Sequence, residues 1–515
     1  MNVTQHLQRN ALHSPDCEST IFGDRVRNWS ETRERVACLA GALRSLGVAT
    51  DDSVAILSLN SDRYLEYLFA VPWADAVVNP VNTRWSLGEI AYSLLDSDTS
   101  VLFVDDAFAP MLPALRERVP GLSTVVHCGD GPLPEGAMDY ERLIAEHPPV
   151  TDARRTGEAL AGIFYTGGTT GHPKGVMLSH ANLMVSAMAA AAAGEFLEAD
   201  GRTLHAAPMF HLADLFTVLI RNIHGGTHVI VPSFDPATVA AAIEKHQVTD
   251  TLLVPTMIQM LIDAPGTDAS DLSSLQRLIY GASPISDALL SRAAVALPGV
   301  RFTQAYGMTE LAPMATFLLP AEHADPVLRR SAGRAGPNVE VRIVDTDDNE
   351  VAPGVVGEVV VRGGNVMLGY WNSPAETAEA LRGGWMHTGD GGYMDERGYV
   401  FLVDRIKDMI VSGGENVYSA EVENALATHP AVAQCAVIGV PDPELGERVH
   451  AVVVLRPGVA ATQEELRAHC KTLIAGYKTP RTSEIVDAMP ISGAGKILKR
   501  ELRAKYWPAE GRGIG

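Results

Sequence analysis

The sequence predicts an α/β protein in two unequal parts. A large N-terminal domain of parallel αβ-layered sheets, with a small β-barrel-like subdomain, precedes a small α+β C-terminal domain. Three observations predict this. Residues 30–150 alternate helical patterns with short apolar runs, the mark of a parallel sheet covered by helices. From Val339 the pattern becomes period-two, in VEVRIVD, GEVVVRG and YVFLVD, as in an antiparallel sheet. After Asp404 a short helix-and-strand pattern restarts. A chain of 515 residues also exceeds what one core organises.

Taken in order, Arg33–Leu46 reads as a helix, Val54–Leu59 as a strand, Tyr64–Ala76 as a helix and Val101–Val104 as a strand. The apolar run Ala161–Tyr165 enters a glycine-rich loop, and Val176–Leu178 leaves it as a second strand. Ser179 is a plausible N-cap for an alanine-rich helix ending near Gly194. That stretch is too short to span a bilayer. Thr251–Val254, Arg277–Tyr280 and Val300–Thr303 read as strands. Ile285–Leu297 reads as a helix opened by Ser283-Pro284. Beyond the period-two region, Ala420–Ala427 and Glu464–Ile474 read as helices, and Ala433–Val440 and His450–Leu455 as strands. A hinge near Asp404–Asp408 divides the chain into 1–404 and 405–515. No internal repeat is evident.

Bulk properties narrow the function classes. The net charge of -21 argues against general binding of nucleic acid or anionic membranes, so an anionic substrate must meet local positive charge. Five scattered cysteines, with no C-x-x-C pair, suggest neither a disulfide framework nor a zinc site and fit a reducing cytoplasm. The N-terminus MNVTQHLQRNALHSPD lacks the apolar core of a secretory signal.

The stretch Phe164–His180, FYTGGTTGHPKGVMLSH, carries the strongest chemical signal. Glycines turn backbone N–H groups toward an anion, Thr166, Thr169 and Thr170 add hydroxyls, and Lys174 adds a mobile charge. The spacing is not that of a Walker loop. By composition alone, a mobile surface turn is the competing reading. Further polar or glycine-rich segments fall where strands end: PMFHLAD (208–214), GASPI (281–285), QAYGMTE (304–310), HTGD (387–390), VDRIKDMIVSGGENVY (403–418) and ISGAGKILKREL (491–502). Singly, Glu310 reads as a helix cap, Tyr306 as a core tyrosine, His211 as a core histidine and Asp390 with Arg405 as a surface ion pair.

Together and in this order, the segments resemble the adenylate-forming superfamily, and most closely its acyl-CoA synthetases, over roughly residues 20 to 507. The resemblance implies two half-reactions. A carboxylate first attacks the α-phosphate of ATP, giving acyl-adenylate and pyrophosphate. The thiol of coenzyme A then displaces AMP. Thr166, Gly167, Gly168, Thr169, Thr170, Gly171 and Lys174 would hold the β- and γ-phosphates. Gly168 stands where many relatives have Ser, which implies a tuned affinity for pyrophosphate. Gly281, Ala282, Ser283, Gln304, Ala305, Tyr306, Gly307 and Met308 would bind ATP, with Tyr306 stacking on adenine and the small Gly281, Ala282 and Ser283 letting the flat base lie close. Asp390 and Arg405 would hold the ribose. Thr309 would touch the α-phosphate, and Glu310 would ligate Mg²⁺, which prefers carboxylate and phosphate oxygens.

The resemblance also assigns Lys496 to bridge the acyl carboxylate and the α-phosphate. His211 would sit beside the carboxylate and the thiol tunnel. Lys407 would be the pivot about which the mobile C-terminal domain rotates between steps, bringing Ser412, Gly413, Gly414 and Glu415 to the site to admit the pantetheine arm. His211, Leu212, Phe216, Met308, Leu311 and Pro313 would line the acyl pocket. Their apolar character favours a medium or long fatty acid, with an aryl or cinnamic-type acid second. Asp214 argues against a dicarboxylate. A free-standing enzyme loading a separate carrier protein, a luciferase-type oxygenase and a non-enzymatic nucleotide sensor are the competing classes, and a homo-oligomer is left open.

Overall fold

The computed structural model describes residues 1–167, 173–267, 270–405, 408–413, 415–492 and 496–507. Two large sheets dominate the described chain. In the first, Val77–Pro80, Ser53–Leu57, Val101–Val104 and Thr124–His127 run parallel, and Leu160–Thr166 joins beside Val77–Pro80 with Val78 opposite Gly162. In the second, Thr227–Ile230, Arg202–His205, Asp250–Leu252, Arg277–Gly281 and Arg301–Tyr306 form the parallel block. Each sheet ends in antiparallel strands, so both are mixed.

Helices fill and cover the sheets. One apolar cluster joins the inner faces of both sheets through helices Trp29–Ser45, Asp62–Trp73, His180–Ala193 and Leu212–His224. Two further clusters place Pro236–His246, Pro255–Asp263 and Asp287–Ala296 outside one sheet, and Leu87–Asp96 and Leu112–Arg118 outside the other. The result is a five-layer αβαβα stack, which buries both faces of each parallel block as such strands require. The period-two segments form a four-stranded antiparallel sheet of Val339–Val344, Gly357–Gly363, Met386–Met394 and Val400–Arg405. The C-terminal residues build a separate five-stranded sheet with its own core around Val437, Val449 and Leu466.

Local signals set the helix ends. Ser179 and Asn182 form a reciprocal capping box that starts His180–Ala193, and Gly194, in the left-handed region at φ 74, ends it. The helix expected after Ser283-Pro284 begins later, at Asp287. Ser286 is its N-cap, its hydroxyl accepting from Leu289 N–H, which leaves 281–285 as a loop.

The buried ion pair Arg221–Asp250 ties helix Leu212–His224 to the second sheet at 2.8 Å, and Arg221 also donates to Thr203 and to the Glu198 carbonyl. Asp250→Ala would strand the guanidinium in the core. The expected cost is about 3–5 kcal/mol, read as a lower midpoint of urea unfolding; an unchanged midpoint would refute it.

Candidate active site

Several of the sequence-selected segments meet at the carboxyl ends of strands in the two large sheets. Leu160–Thr166 leads into the glycine loop at the carboxyl edge of the first sheet. Arg277–Gly281 and Arg301–Tyr306 end side by side in the second, with Gly281 opposite Ala305. Carboxyl edges of parallel strands are where α/β sheets bind ligands.

Two clusters form there. In the first, strand Lys174–Ser179 pairs with the short strand Gly369–Tyr370, and Trp371 N–H donates to the Gly175 carbonyl at 2.7 Å. This register lays the Tyr370 ring 5.2 Å from Lys174 Nζ. The Tyr370 hydroxyl donates to Glu310 Oε1 at 2.9 Å. Glu310 is only 6% exposed. Burial first, then the Glu310 carboxylate, push the Tyr370 phenol well above its ordinary range, so it remains a donor. The strand entering the glycine loop is fixed by Tyr165, whose hydroxyl donates to Asp96 at 2.6 Å; Trp371 Nε1–H donates to the Asp96 carbonyl at 2.8 Å. The loop residues Gly168, Thr169, Thr170 and Gly171 lie outside the described residues. Thr166 and Lys174, its two feet, face each other in the antiparallel ladder.

In the second cluster the Tyr306 hydroxyl donates to Asp390 Oδ2 at 2.8 Å. Asp390 N–H donates to Thr388 Oγ1, Gly389 N–H to Glu358 Oε1, and His387 Nδ1 lies 2.9 Å from Glu358 Oε2. The Asp390 backbone pairs with that of Arg405, whose side chain lies outside the described residues. Gln304 and Ala305 are strand residues leading to Tyr306, and Thr309 opens a short 3₁₀ turn that carries Glu310.

The small residues at this edge serve the protein's own packing as well. A Cβ on Gly281 would run into the Ala305 carbonyl, and one on Gly307 into the Pro313 carbonyl. Ala282, by contrast, is exposed and sits at φ 64, a conformation an alanine holds only under local constraint. Ser283 follows it half-buried.

His211 opens helix Leu212–His224 with its ring 4.3 Å from that of Phe210. Asn60, buried, fixes the preceding segment: its Oδ1 accepts from Met209 N–H and its Nδ2 donates to the Ala207 carbonyl. Asp214 does not face a pocket, which removes it as an argument against a dicarboxylate. Its carboxylate lies 3.0 Å from His205 Nδ1, and His205 Nε2 lies 2.9 Å from His228 Nδ1, all three fully buried. Leu212, Phe216, Leu311 and Pro313 are buried; Phe216 packs edge-on to Phe196, which packs on Phe317. Met308 is half-buried against the same core.

The C-terminal part presents two loops. Ser412 and Glu415 close a tight hairpin in which Gly413 takes φ 62 and donates to the Leu445 carbonyl; Gly414 lies outside the described residues, as does Lys407. No hydrogen bond among the described residues joins this hairpin to the Glu310 or Asp390 clusters. At the junction, Asp404 Oδ2 accepts from Ser419 N–H at 2.7 Å, at the start of helix Ser419–Ala427, whose N-cap Tyr418 offers no side-chain cap. Lys496 ends a loop closed on itself: Ser492 N–H donates to the Lys496 carbonyl at 2.7 Å, and Lys496 N–H to Ser492 Oγ at 3.0 Å.

Tyr370 is the principal residue that sequence reasoning missed. Its signal, an aromatic pair after a glycine in MLGYWN, is visible but too short to carry a periodicity.

Comparison with known proteins gives the family and its fold. A family model described as AMP-binding enzyme matches residues 7–371, and the AMP-binding enzyme C-terminal domain matches 421–496. Feruloyl-CoA synthases of Amycolatopsis and Streptomyces species are 41% identical over 97% of this chain and 98% of theirs. A fatty acid–[acyl-carrier-protein] ligase of Streptomyces coeruleorubidus is 36% identical over 99% and 98%. The crystal structure of an anthranilate CoA ligase in complex with anthranoyl-AMP superposes with a TM-score of 0.92, at 27% identity, covering 98% of this chain and 97% of that one.

Proposed function

The chain belongs to the AMP-binding enzyme family and is an AMP-forming acid–thiol ligase, and from this premise we propose that it activates an aryl acid of the cinnamic type as its coenzyme A thioester. The observation that carries the choice of acid is the 41% identity, over nearly the whole of both chains, with feruloyl-CoA synthases. The apolar pocket residues fit an aryl body as well as an alkyl tail.

The reaction uses ATP, Mg²⁺ and coenzyme A. In the first step the acid's carboxylate oxygen bonds to the α-phosphorus while the bond to pyrophosphate breaks. In the second, the thiol sulfur bonds to the acyl carbon, its proton is lost and AMP departs. Lys174 and Thr166 flank the leaving phosphates, Tyr306 and Asp390 hold the nucleoside, His211 borders the acid, and Lys496 stabilises charge between carboxylate and α-phosphate. Among the described residues no cluster of three metal-ligating side chains exists. Mg²⁺ would thus be held by Glu310 together with phosphate oxygens, the mixed mode this ion favours, where it offsets charge on the departing pyrophosphate. Tyr370 holds the Glu310 carboxylate in place for that contact. Among the described residues no helix is long and apolar enough to cross a membrane, and the free cysteines accord with a cytoplasmic site of action.

A second reading, a fatty acid passed to coenzyme A or to a carrier protein, is favoured by the 36% identity with the fatty acid–[acyl-carrier-protein] ligase. Pyrophosphate release measured over a panel of cinnamic, benzoic and alkyl acids, with coenzyme A or a carrier protein as acceptor, separates the two. Cinnamic-type acids are expected to give the highest kcat/KM with coenzyme A. A preference for alkyl acids of eight or more carbons would overturn the aryl assignment.

A further inference from the structure

One hydrogen bond places the Lys496 loop against the N-terminal domain. Arg84 Nη1 donates to the Ser492 carbonyl at 3.1 Å. Ser492 exchanges two hydrogen bonds with Lys496, so holding its carbonyl also restrains the Lys496 backbone.

Arg84 is itself well placed for this. It lies four residues past strand Val77–Pro80, which neighbours and parallels the strand entering the glycine loop. It therefore stands at the same sheet edge as that loop. Its N–H donates to Asn82 Oδ1 at 3.0 Å, and Trp85 N–H donates to the Asn82 carbonyl, an Asx-type turn that fixes the backbone while the side chain reaches out. Helix Leu87–Asp96 follows at once, started by a Ser86–Glu89 capping box. Its last residue, Asp96, accepts from Tyr165, on the strand that enters the glycine loop, and from Trp371. Arg84 thus lies three residues before this helix, and the residue that holds Tyr165 and Trp371 is at its end.

We propose that Arg84 is a positioning residue for the first half-reaction: its bond to the Ser492 carbonyl holds Ser492, and with it the hydrogen-bonded Lys496, against the N-terminal domain, and it lets go when the C-terminal domain turns for the second. Arg84 touches no reacting atom. Its neutral acceptor and exposed setting suit a contact made and broken in each turnover. The inference rests on the two-step reading given above.

The test measures the half-reactions apart. Arg84→Ala and Arg84→Gln are expected to lower kcat for ATP- and acid-dependent pyrophosphate release about three- to tenfold with little change in KM for the acid. Thioester formation from supplied acyl-adenylate and coenzyme A is expected to be unchanged. Arg84→Lys is expected to recover part of the loss. Equal loss in both half-reactions, or no loss in either, overturns the role of Arg84. Lys496→Ala, assayed alongside, separates the two levels. If it splits the half-reactions and the Arg84 variants do not, the docking role alone fails. If it does not split them, the two-step reading fails and the docking role with it. Thermal unfolding of the three Arg84 variants, expected to match the parent, removes misfolding as a cause.

Discussion

Lys496→Ala is expected to slow ATP- and acid-dependent pyrophosphate release by about 10²–10³-fold while leaving thioester formation from supplied acyl-adenylate near the parental rate. The magnitude is that of removing one preorganised charge-stabilising donor from a transition state. The asymmetry follows from where charge develops. In the first step, two anions, the acid's carboxylate and the α-phosphate, are forced together, and in the role proposed for Lys496 a single ammonium on a long flexible stem would offset their repulsion. In the second step the attacking thiol meets an acyl carbon already activated by AMP, and no such meeting of anions occurs. Lys496 is held through its own backbone, its N–H donating to Ser492 Oγ and its carbonyl accepting from Ser492 N–H, so truncating the side chain leaves both bonds in place. Measuring the two half-reactions separately gives the answer. Comparable loss in both would show that Lys496 serves the fold or general binding.

Glu310→Gln is expected to reduce the same ATP-dependent step by about 10²-fold or more, with the deficit growing as Mg²⁺ is made limiting. Glutamine preserves the shape and an acceptor for the Tyr370 hydroxyl, so the cluster of Lys174, Tyr370 and Glu310 should persist. What is lost is the negative charge of a nearly buried carboxylate, the property a hard dication needs. A Mg²⁺ titration of pyrophosphate release in parent and variant reads the effect directly. A variant within threefold of the parent at limiting Mg²⁺ would exclude Glu310 as a metal ligand.

Much of this arrangement is legible in the sequence because its causes are local. The run Ala161–Tyr165, the glycines and Val176–Leu178 already describe two strands and a loop. Ser179 caps its helix by a rule that spans three residues. The period-two segments appear as the antiparallel sheet they suggest. What escapes is set by distant partners. Tyr370 belongs to a two-residue strand, and only its pairing with Lys174–Ser179 brings it over Lys174 and Glu310. Asp214, three residues beyond His211, reads as a pocket carboxylate. It is drawn into the core by His205, a residue on a strand whose neighbours the sequence does not name. Gly281 reads as space for a nucleotide base, but a Cβ there would also meet the Ala305 carbonyl of the adjacent strand. Ser283-Pro284 mimics a helix start, and the cap that operates is Ser286.

The bond from Asp404 to Ser419 N–H has a thermodynamic consequence for turnover. The first helix of the C-terminal part has its N-terminus completed by a carboxylate on the other side of the proposed pivot. A rotation there carries Ser419 away and uncaps the helix, at a cost of about 1 kcal/mol. That figure corresponds to roughly a fivefold population bias toward the orientation seen here. The proposed rotation would give up this preference at the junction, an amount that one contact with a bound ligand can offset.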